Sequence, residues 1–327
     1  MMNNLLKTAA SLFFILTCLL ITPSVYADPT ESVRVWSFNM EGWRHQLPDH
    51  LMEKRYESFL EQKEVINEIP DLIATQEDFG WTLSDFVPAL QAKKPGTTFE
   101  EYGRSRNAGV TPAETNAIVY NQSRFKLVPE IAAIQNTLHT LPSLILPAQG
   151  KDPAYPLCDS YVTHDNLTCQ LLKGAGRDTY ARIMTWGIFQ EISNPGVIVI
   201  FTSTHQSLDA IDQPMEQQRF ALIVNELIKQ VQYYHKGITP IVIMAGDYNT
   251  PNNFKMLNDT LDSVLKNGKI ISWQDPSLLF TVSPDSILSN APSTGRVNYF
   301  NPAIDVTDHG PIAETVMFDP GMLQPKE

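Results

Sequence analysis

Cysteine is scarce in this chain, with three in 327 residues. That excludes a small scaffold stapled by many disulfides, and the spacing fits no zinc ribbon or finger. Positive charge is also short. Lys and Arg total 24 against 36 Asp and Glu, for a formal net charge of −12. A broad basic face for tracking nucleic acid is therefore not expected, although a local basic cleft is compatible with this balance. Repeats and low-complexity tracts are missing, which excludes solenoids and disordered tails. Long apolar runs are missing too, apart from one near the start.

That one run carries information. Lys7 is the only charge before an apolar stretch from about Ala9 to Ile21, and the small-residue pattern Val25-Tyr26-Ala27 precedes Asp28. Positive, apolar, then small is the order of a secretory signal peptide cut after Ala27. The core "SLFFILTCLLI" is short for a span of ~20 apolar residues, so a membrane anchor is the weaker reading. The expected organisation is a signal peptide at 1–27 and one domain at 28–327. The mature chain would carry a charge of −13 (−12 less the one Lys), with no stable membrane anchor, as a secreted or periplasmic monomer. Cys158 and Cys169 remain, in "PLCDSYVTHDNLTC". One disulfide is expected between them, with two free thiols as the alternative. They lie in region 138–180, rich in Pro, Gly and Asp, which reads as an inserted loop.

The periodicities predict strands over "VRVWSFNM" (33–40), "DLIATQE" (71–77), "GVIVIFTSTH" (196–205), "ITPIVIMAGDYN" (238–249), "SLLFTVS" (277–283) and "PIAETVMF" (311–318). Hairpins are expected between "TNAIVYN" and "FKLVPEIAAI", and between "YARIMTWGIFQEI" and "GVIVIFTSTH". Helices are expected over 53–69, stopped by Pro70, and over 215–234. In the second, Phe220, Ile223, Val224, Leu227, Ile228 and Val231 form one apolar stripe. Many strands and few helices imply an α/β class: a sandwich of two packed, mainly antiparallel sheets with helices outside, rather than a regular βαβ alternation.

The strand ends carry the chemistry. Asn39 ends the first strand, Glu77 ends "DLIATQE", and His205 ends "VIVIFTSTH". Asp247 and Asn249 end "PIVIMAGDYN", and Asp308-His309 precede the last strand. Each alone is a common turn residue. Together they fit the needs of phosphoester hydrolysis. A hard cation such as Mg²⁺ takes carboxylate and amide oxygens, an Asp can orient and deprotonate a water, and Asn and His can donate to charged oxygens.

These stretches, in this order, resemble the endonuclease/exonuclease/phosphatase superfamily, which has the deoxyribonuclease-I-like fold. "VRVWSFNM" looks like its opening strand, "PDLIATQE" its QE element, "FTSTHQSLD" its THL element, "GDYN" its GD-aromatic-N signature and "TDHGPI" its SDH-x-P terminus. The match spans about residues 33–318 and implies a four-layered α/β sandwich. It implies Asn39, Glu77 and Asp308 around Mg²⁺, with Mn²⁺ or Ca²⁺ as substitutes. It implies His205, Asp247, Asn249 and His309 in the chemistry, with Glu114 orienting His205 and Arg182 facing the phosphate.

The family also has an Asp-aromatic-apolar strand whose Asp orients the last His. Asp275 in "DPSLLFTVS" is the best match here, a poor one with Pro276 beside it. The implied activity is metal-dependent hydrolysis of a phosphoester, with Arg104 and Arg106 adding to Arg182 in a small positive cleft. No exposed apolar hairpin is evident, and the loop "SNAPSTGRVNYF" offers only Tyr299-Phe300. The balance leans toward a soluble phosphodiester, nucleic acid included. Phospholipid head-groups and a non-catalytic binding module are the alternatives.

Overall fold

The computed structural model describes residues 31–40, 59–62, 65, 69–77, 81–105, 115–140, 168–171, 182–206, 213–249, 285–291, 293–298 and 311–318. Twelve strands and three helices follow one another in these segments. The order is β1 (Glu31–Asn39), β2 (Leu72–Gln76), α1 (Trp81–Lys93), β3 (Phe99–Ser105), β4 (Thr115–Asn121), β5 (Phe125–Leu127), α2 (Ile131–Thr140) and β6 (Thr168–Leu171). Then come β7 (Ile183–Glu191), β8 (Ile198–His205), α3 (Gln213–Tyr234), β9 (Ile241–Asp247), β10 (Asp285–Ser289), β11 (Ser293–Asn298) and β12 (Ile312–Phe318).

The strands form two sheets. One runs β11-β12-β1-β2-β4-β3; the other runs β10-β9-β8-β7-β5, with β6 also paired to β7. Each sheet holds one parallel pair, β1 with β2 and β8 with β9, and every other pairing is antiparallel. Strand alternation sorts the side chains into layers. Val33, Val35, Leu72, Ala74, Val199, Phe201, Ile241, Ile243 and Ala245 meet between the sheets. Trp36, Phe38 and Ile73 face outward onto α1 residues Phe86 and Leu90. Ile198, Ile200, Val242 and Met244 face the opposite way, onto α2 and α3. Three cores between four layers give the α/β/β/α sandwich that the motifs imply.

Helix α3 buries Phe220, Ile223, Val224, Leu227, Ile228 and Val231, the stripe expected from periodicity. Pro214 is its second residue, where no helical partner for an N–H is needed. The hairpin of β7 and β8 also forms as expected, with Met184 opposite Thr204 and Gln190 opposite Ile198.

Two expectations are corrected. "TNAIVYN" and "FKLVPEIAAI" are not paired strands. Asn121–Arg124 is a crossing between the sheets, so that β4 pairs with β2 and β3 while β5 pairs with β7. The Ser123 amide donates to Asn121 Oδ1 at 3.0 Å, an Asx turn. After Leu127 the chain becomes helical. Pro129 sits two residues before α2, and Ile131, Ile134 and Leu138 recur at helical spacing and are buried. "SNAPSTGRVNYF" is not simply a loop either: Ser293–Asn298 is strand β11, paired with β12 across an irregularity between Thr294 and Val297.

Strand β6 gives part of region 138–180 a place, paired antiparallel with β7 from Thr168 opposite Trp186 to Leu171 opposite Ile183. The helix expected over 53–69 is not continuous: Phe59-Leu60 and Val65 are helical, but Glu61 and Gln62 form a turn, with the Gln62 amide donating to the Phe59 carbonyl at 3.2 Å. The rest of that stretch, apart from Ile69, and all of 277–283 lie outside the described residues. Among the described residues no helix is long and apolar enough to cross a membrane.

At the end where β1 begins, Arg124 ties the two sheets together. Its Nη1 lies 2.6 Å from Asp71 Oδ2 and its Nε lies 2.8 Å from Glu191 Oε1. Asp71 Oδ2 also accepts from the Arg34 amide at 3.0 Å. Burial pushes the Glu191 carboxyl up, against the opposing pull of Arg124.

Candidate active site

Alternation that places Val33 and Val35 between the sheets also places Ser37 and then Asn39 there. The same parity carries Leu72 and Ala74 to Gln76, Val199 and Phe201 to Ser203 and His205, and Ile241, Ile243 and Ala245 to Asp247. The inter-sheet layer thus turns from apolar to polar at the C-terminal ends of four strands. Because both strand pairs are parallel, those ends share one edge. Asn39 is level with Gln76, and His205 is level with Asp247.

Local backbone geometry finishes the site. After Gln76 the next side chain would turn outward, but Glu77 adopts a left-handed conformation (φ 53°). Its carboxylate accepts from Asn39 Nδ2 at 3.2 Å. The same Asn39 Nδ2 donates to Asp247 Oδ2 at 3.1 Å. His205 Nε2 stands 3.8 Å from Glu77 Oε1 and 3.7 Å from Asp247 Oδ2. Asn249 is the other left-handed residue (φ 50°). Its amide closes an Asx turn on Asp247 Oδ1 at 2.9 Å, its Nδ2 donates to the Gln206 carbonyl at 2.7 Å, and its carbonyl accepts from Gln213 Nε2 at 2.8 Å. Tyr248, between them, is buried against α3 with its ring 6.0 Å from that of Phe220. The pair "GD" has a steric reason: a Cβ at position 246 would lie 2.2 Å from the Thr204 carbonyl oxygen on β8.

Ligand atoms of Glu77, His205 and Asp247 all lie within 4.8 Å of one another. Asn39 and Asp247 are buried, and Glu77 is half-buried. Two ionised carboxylates at that separation repel by at least roughly 3 kcal/mol at an effective dielectric of ~20. The carboxylate oxygens of Glu77 and Asp247 and an amide oxygen fit a hard divalent cation, whereas the imidazole suits hydrogen bonding beside it or a softer ion.

Of the residues expected from sequence, the structure brings together Asn39, Glu77, His205, Asp247 and Asn249. Asp247, expected as a general base, also stands within reach of a shared cation. Arg182 immediately precedes β7, at the edge where β8 ends, and is buried. Arg104 lies on β3. Glu114, Asp308, His309, Asp275, Arg106 and Cys158 lie outside the described residues, while Cys169 is on β6.

Sequence reasoning missed two residues. Gln76 is fully buried directly beneath the site. Asp285 opens β10 directly across from Asp247 and is also buried. Asp285-Ser-Ile-Leu follows the Asp-x-apolar strand pattern more closely than Asp275 does; Pro284 before it and Ser286 in place of an aromatic hid it.

No family model matches the chain, and no curated protein matches it in sequence. Solved structures do match in fold. An endonuclease/exonuclease/phosphatase family protein from Bacteroides thetaiotaomicron superposes with a TM-score of 0.56 at 17% identity, covering 91% of this chain and 99% of that one. A mannosyl-6-phosphatase of the same organism gives 0.52 at 17%, covering 88% and 100%. The human Nocturnin catalytic domain gives 0.53 at 14%, covering 88% and 95%. The ordered motifs and these superpositions agree, and the chain has the deoxyribonuclease-I-like fold of the endonuclease/exonuclease/phosphatase proteins.

Proposed function

We propose that this protein is a secreted or periplasmic, divalent-metal-dependent phosphoester hydrolase acting on phosphodiesters such as nucleic acid. The observation that carries the reading is the convergence of Glu77, His205 and Asp247 within 4.8 Å at the shared edge of the two sheets. The neighbours in fold support it, since one is a mannosyl-6-phosphatase and another, ANGEL2, a 2′,3′-cyclic phosphatase.

In this reading Glu77, with Asn39 and Asp308, holds Mg²⁺, and Mn²⁺ or Ca²⁺ can replace it. When bound, such an ion polarises a phosphoryl oxygen and offsets the charge that develops on it. The chain's own groups do the rest. Asp247 orients an attacking water and takes its proton at Oδ2. His205 and His309 donate to non-bridging oxygens. The turn around Asn249 fixes its side-chain amide near the same place. Glu114 orients His205, and Asp285 takes the role of orienting His309, in place of Asp275. Arg182 stands on the phosphate side. The monomeric mature chain begins after the 1–27 signal, and a Cys158–Cys169 bridge pins the insertion.

A panel of duplex DNA, RNA, a bis-aryl phosphate, sphingomyelin vesicles and phosphoinositides, each with Mg²⁺, Mn²⁺ or chelator, tests this. Metal-dependent cleavage of DNA, RNA or the bis-aryl diester is expected. Cleavage of the lipids alone would move the substrate to phospholipid head-groups, and no cleavage of any would leave a binding module.

A further inference from the structure

The inter-sheet space is mainly apolar, with Glu314 and Asp285 among its buried polar exceptions, and a chain of hydrogen bonds runs across it just beneath the site. Gln76 Oε1 accepts from Ser37 Oγ at 3.4 Å, and Gln76 Nε2 donates to Ser203 Oγ at 3.1 Å. Ser203 Oγ in turn donates to the Thr75 carbonyl at 2.8 Å, returning to the residue beside Gln76. Ser37, Gln76, Ser203 and Thr75 are all fully buried. Three strands are joined this way: β1 and β2 of one sheet and β8 of the other.

Each member lies one or two residues before a residue of the site. Ser37 is two before Asn39 on the same face, Gln76 is next to Glu77, and Ser203 is two before His205 on the same face. Asn39 and Glu77 belong to one sheet; His205 and Asp247 belong to the other. Within the site, the hydrogen bond from Asn39 Nδ2 to Asp247 Oδ2 and the 3.8 Å approach of His205 Nε2 to Glu77 Oε1 cross between these halves. Below Ser203 the sheets meet through Val35, Ala74, Val199 and Phe201, contacts without a preferred direction, until the Arg124 ion pairs at the far end. Hydrogen bonds have both a length and a direction, and catalytic groups must hold position within fractions of an ångström.

We infer that Gln76, clamped between Ser37 and Ser203, is a positioning residue that sets the spacing of the two half-sites. This deepens the hydrolase reading and rests on it for its effect on turnover. Its test does not need turnover, because a backbone amide beside each half-site reports whether those strand ends are held in place.

Three amides are informative. The Met40 amide donates to the Gln76 carbonyl at 2.8 Å and the Gln206 amide to the Asp247 carbonyl at 2.8 Å, one at the rim of each half-site. The Asn121 amide donates to the Asp71 carbonyl at 2.9 Å, at the far end of the sandwich.

The test compares wild type with Gln76→Met, which keeps the volume and removes the amide, and with Ser203→Ala, which serves if the first fails to fold. Hydrogen exchange is read at the three amides, and Mg²⁺ binding is read by calorimetry. Exchange at Met40 and Gln206 is expected to speed at least about tenfold with Asn121 unchanged. The Mg²⁺ dissociation constant is expected to rise about tenfold or more, and kcat to fall by up to ~10²-fold, the scale of a 1 Å misplacement. Exchange within twofold of wild type at Met40 and Gln206, or equal acceleration at all three amides, overturns the inference. Wild-type protein that binds no Mg²⁺ and cleaves no phosphoester sinks the hydrolase reading instead, and the exchange pattern then still decides whether Gln76 holds the sheets.

Discussion

Replacing Gly246 by alanine is the sharpest test of how the site is built. The new Cβ would lie 2.2 Å from the Thr204 carbonyl oxygen, 2.8 Å from Thr204 Cγ2 and 2.9 Å from the Thr204 nitrogen. Real Cβ contacts essentially never fall below 3.0 Å, so β8 and β9 must part by at least 0.8 Å (3.0 less 2.2). The first obstacle is backbone, which cannot rotate aside. Overpacking of this kind costs about 1–3 kcal/mol, or about 2–5 °C of melting temperature in a chain of this size. The same movement separates His205 from Asp247, which are register partners one step along at 3.7 Å. A displacement near 1 Å at reacting groups is worth up to ~10²-fold in rate. Gly246→Ala should therefore melt a few degrees lower and lose on the order of 10²-fold in turnover of a bis-aryl phosphate, assayed well below its melting temperature. Gly96→Ala is the control. Its φ of 84° disfavours a side chain, but no atom lies within 4 Å of the added Cβ. It should lose about 1 kcal/mol of stability and no activity. Wild-type melting and turnover in Gly246→Ala would refute the account of why a glycine precedes Asp247.

Other expectations can be checked with the same preparations. Glu77→Gln should raise the Mg²⁺ requirement while the fold survives, read as a titration of rate against Mg²⁺; full activity at low Mg²⁺ would remove Glu77 from the ion. Asp247→Asn, and separately His309→Ala, should lower kcat by ~10²–10⁴-fold with little change in melting temperature, and a loss below about fivefold would mark them as turn residues. Arg124→Met should destabilise by about 3 kcal/mol by leaving Asp71 and Glu191 without their cation. Burial already raises the Glu191 carboxyl, so the neutral form suits the fold. The Arg124→Met loss should therefore be largest near pH 7 and shrink as pH falls and Glu191 takes up a proton, as thermal melts at pH 4 and pH 7 would show. Non-reducing mass spectrometry should find Cys158 joined to Cys169, and two alkylatable thiols would contradict the bridge.

Where a strand was long and apolar, the sequence displayed both the element and its working end. β1, β8 and β9 are such strands, and Asn39, His205 and Asp247 stand out as the polar residues that end them. What could not be read was any change of sheet. Nothing in "YNQSRFK" distinguishes a hairpin from a crossing, because Asn121-Gln122-Ser123 suits either; tertiary pairing of β5 with β7 decided it. Likewise β11 carries Gly295 and Arg296 at its irregularity, and so lacks an apolar rhythm. Gln76 hid in plain view, since a buried amide is meaningful only once its partner on β8, 127 residues away, is known. Asp285 was hidden by Pro284, which broke the strand pattern one residue too soon.

The position of β12 has a consequence for the order of events in the life of the chain. Among the described residues it is the last strand in sequence, yet it lies between β11 and β1, with Phe318 opposite Glu31 and Ile312 opposite Ser37. The first strand thus has an open edge until the last one is synthesised. The contact between Asn39 and Asp247 spans 208 positions of sequence. Closure of loops that long comes late in folding. In an emerging chain the contact between Asn39 and Asp247 cannot form until β9 has been made, and β1 lacks one of its two neighbours until β12 follows. The two halves of the cluster are therefore assembled by closure of the whole sandwich and by no smaller part of it.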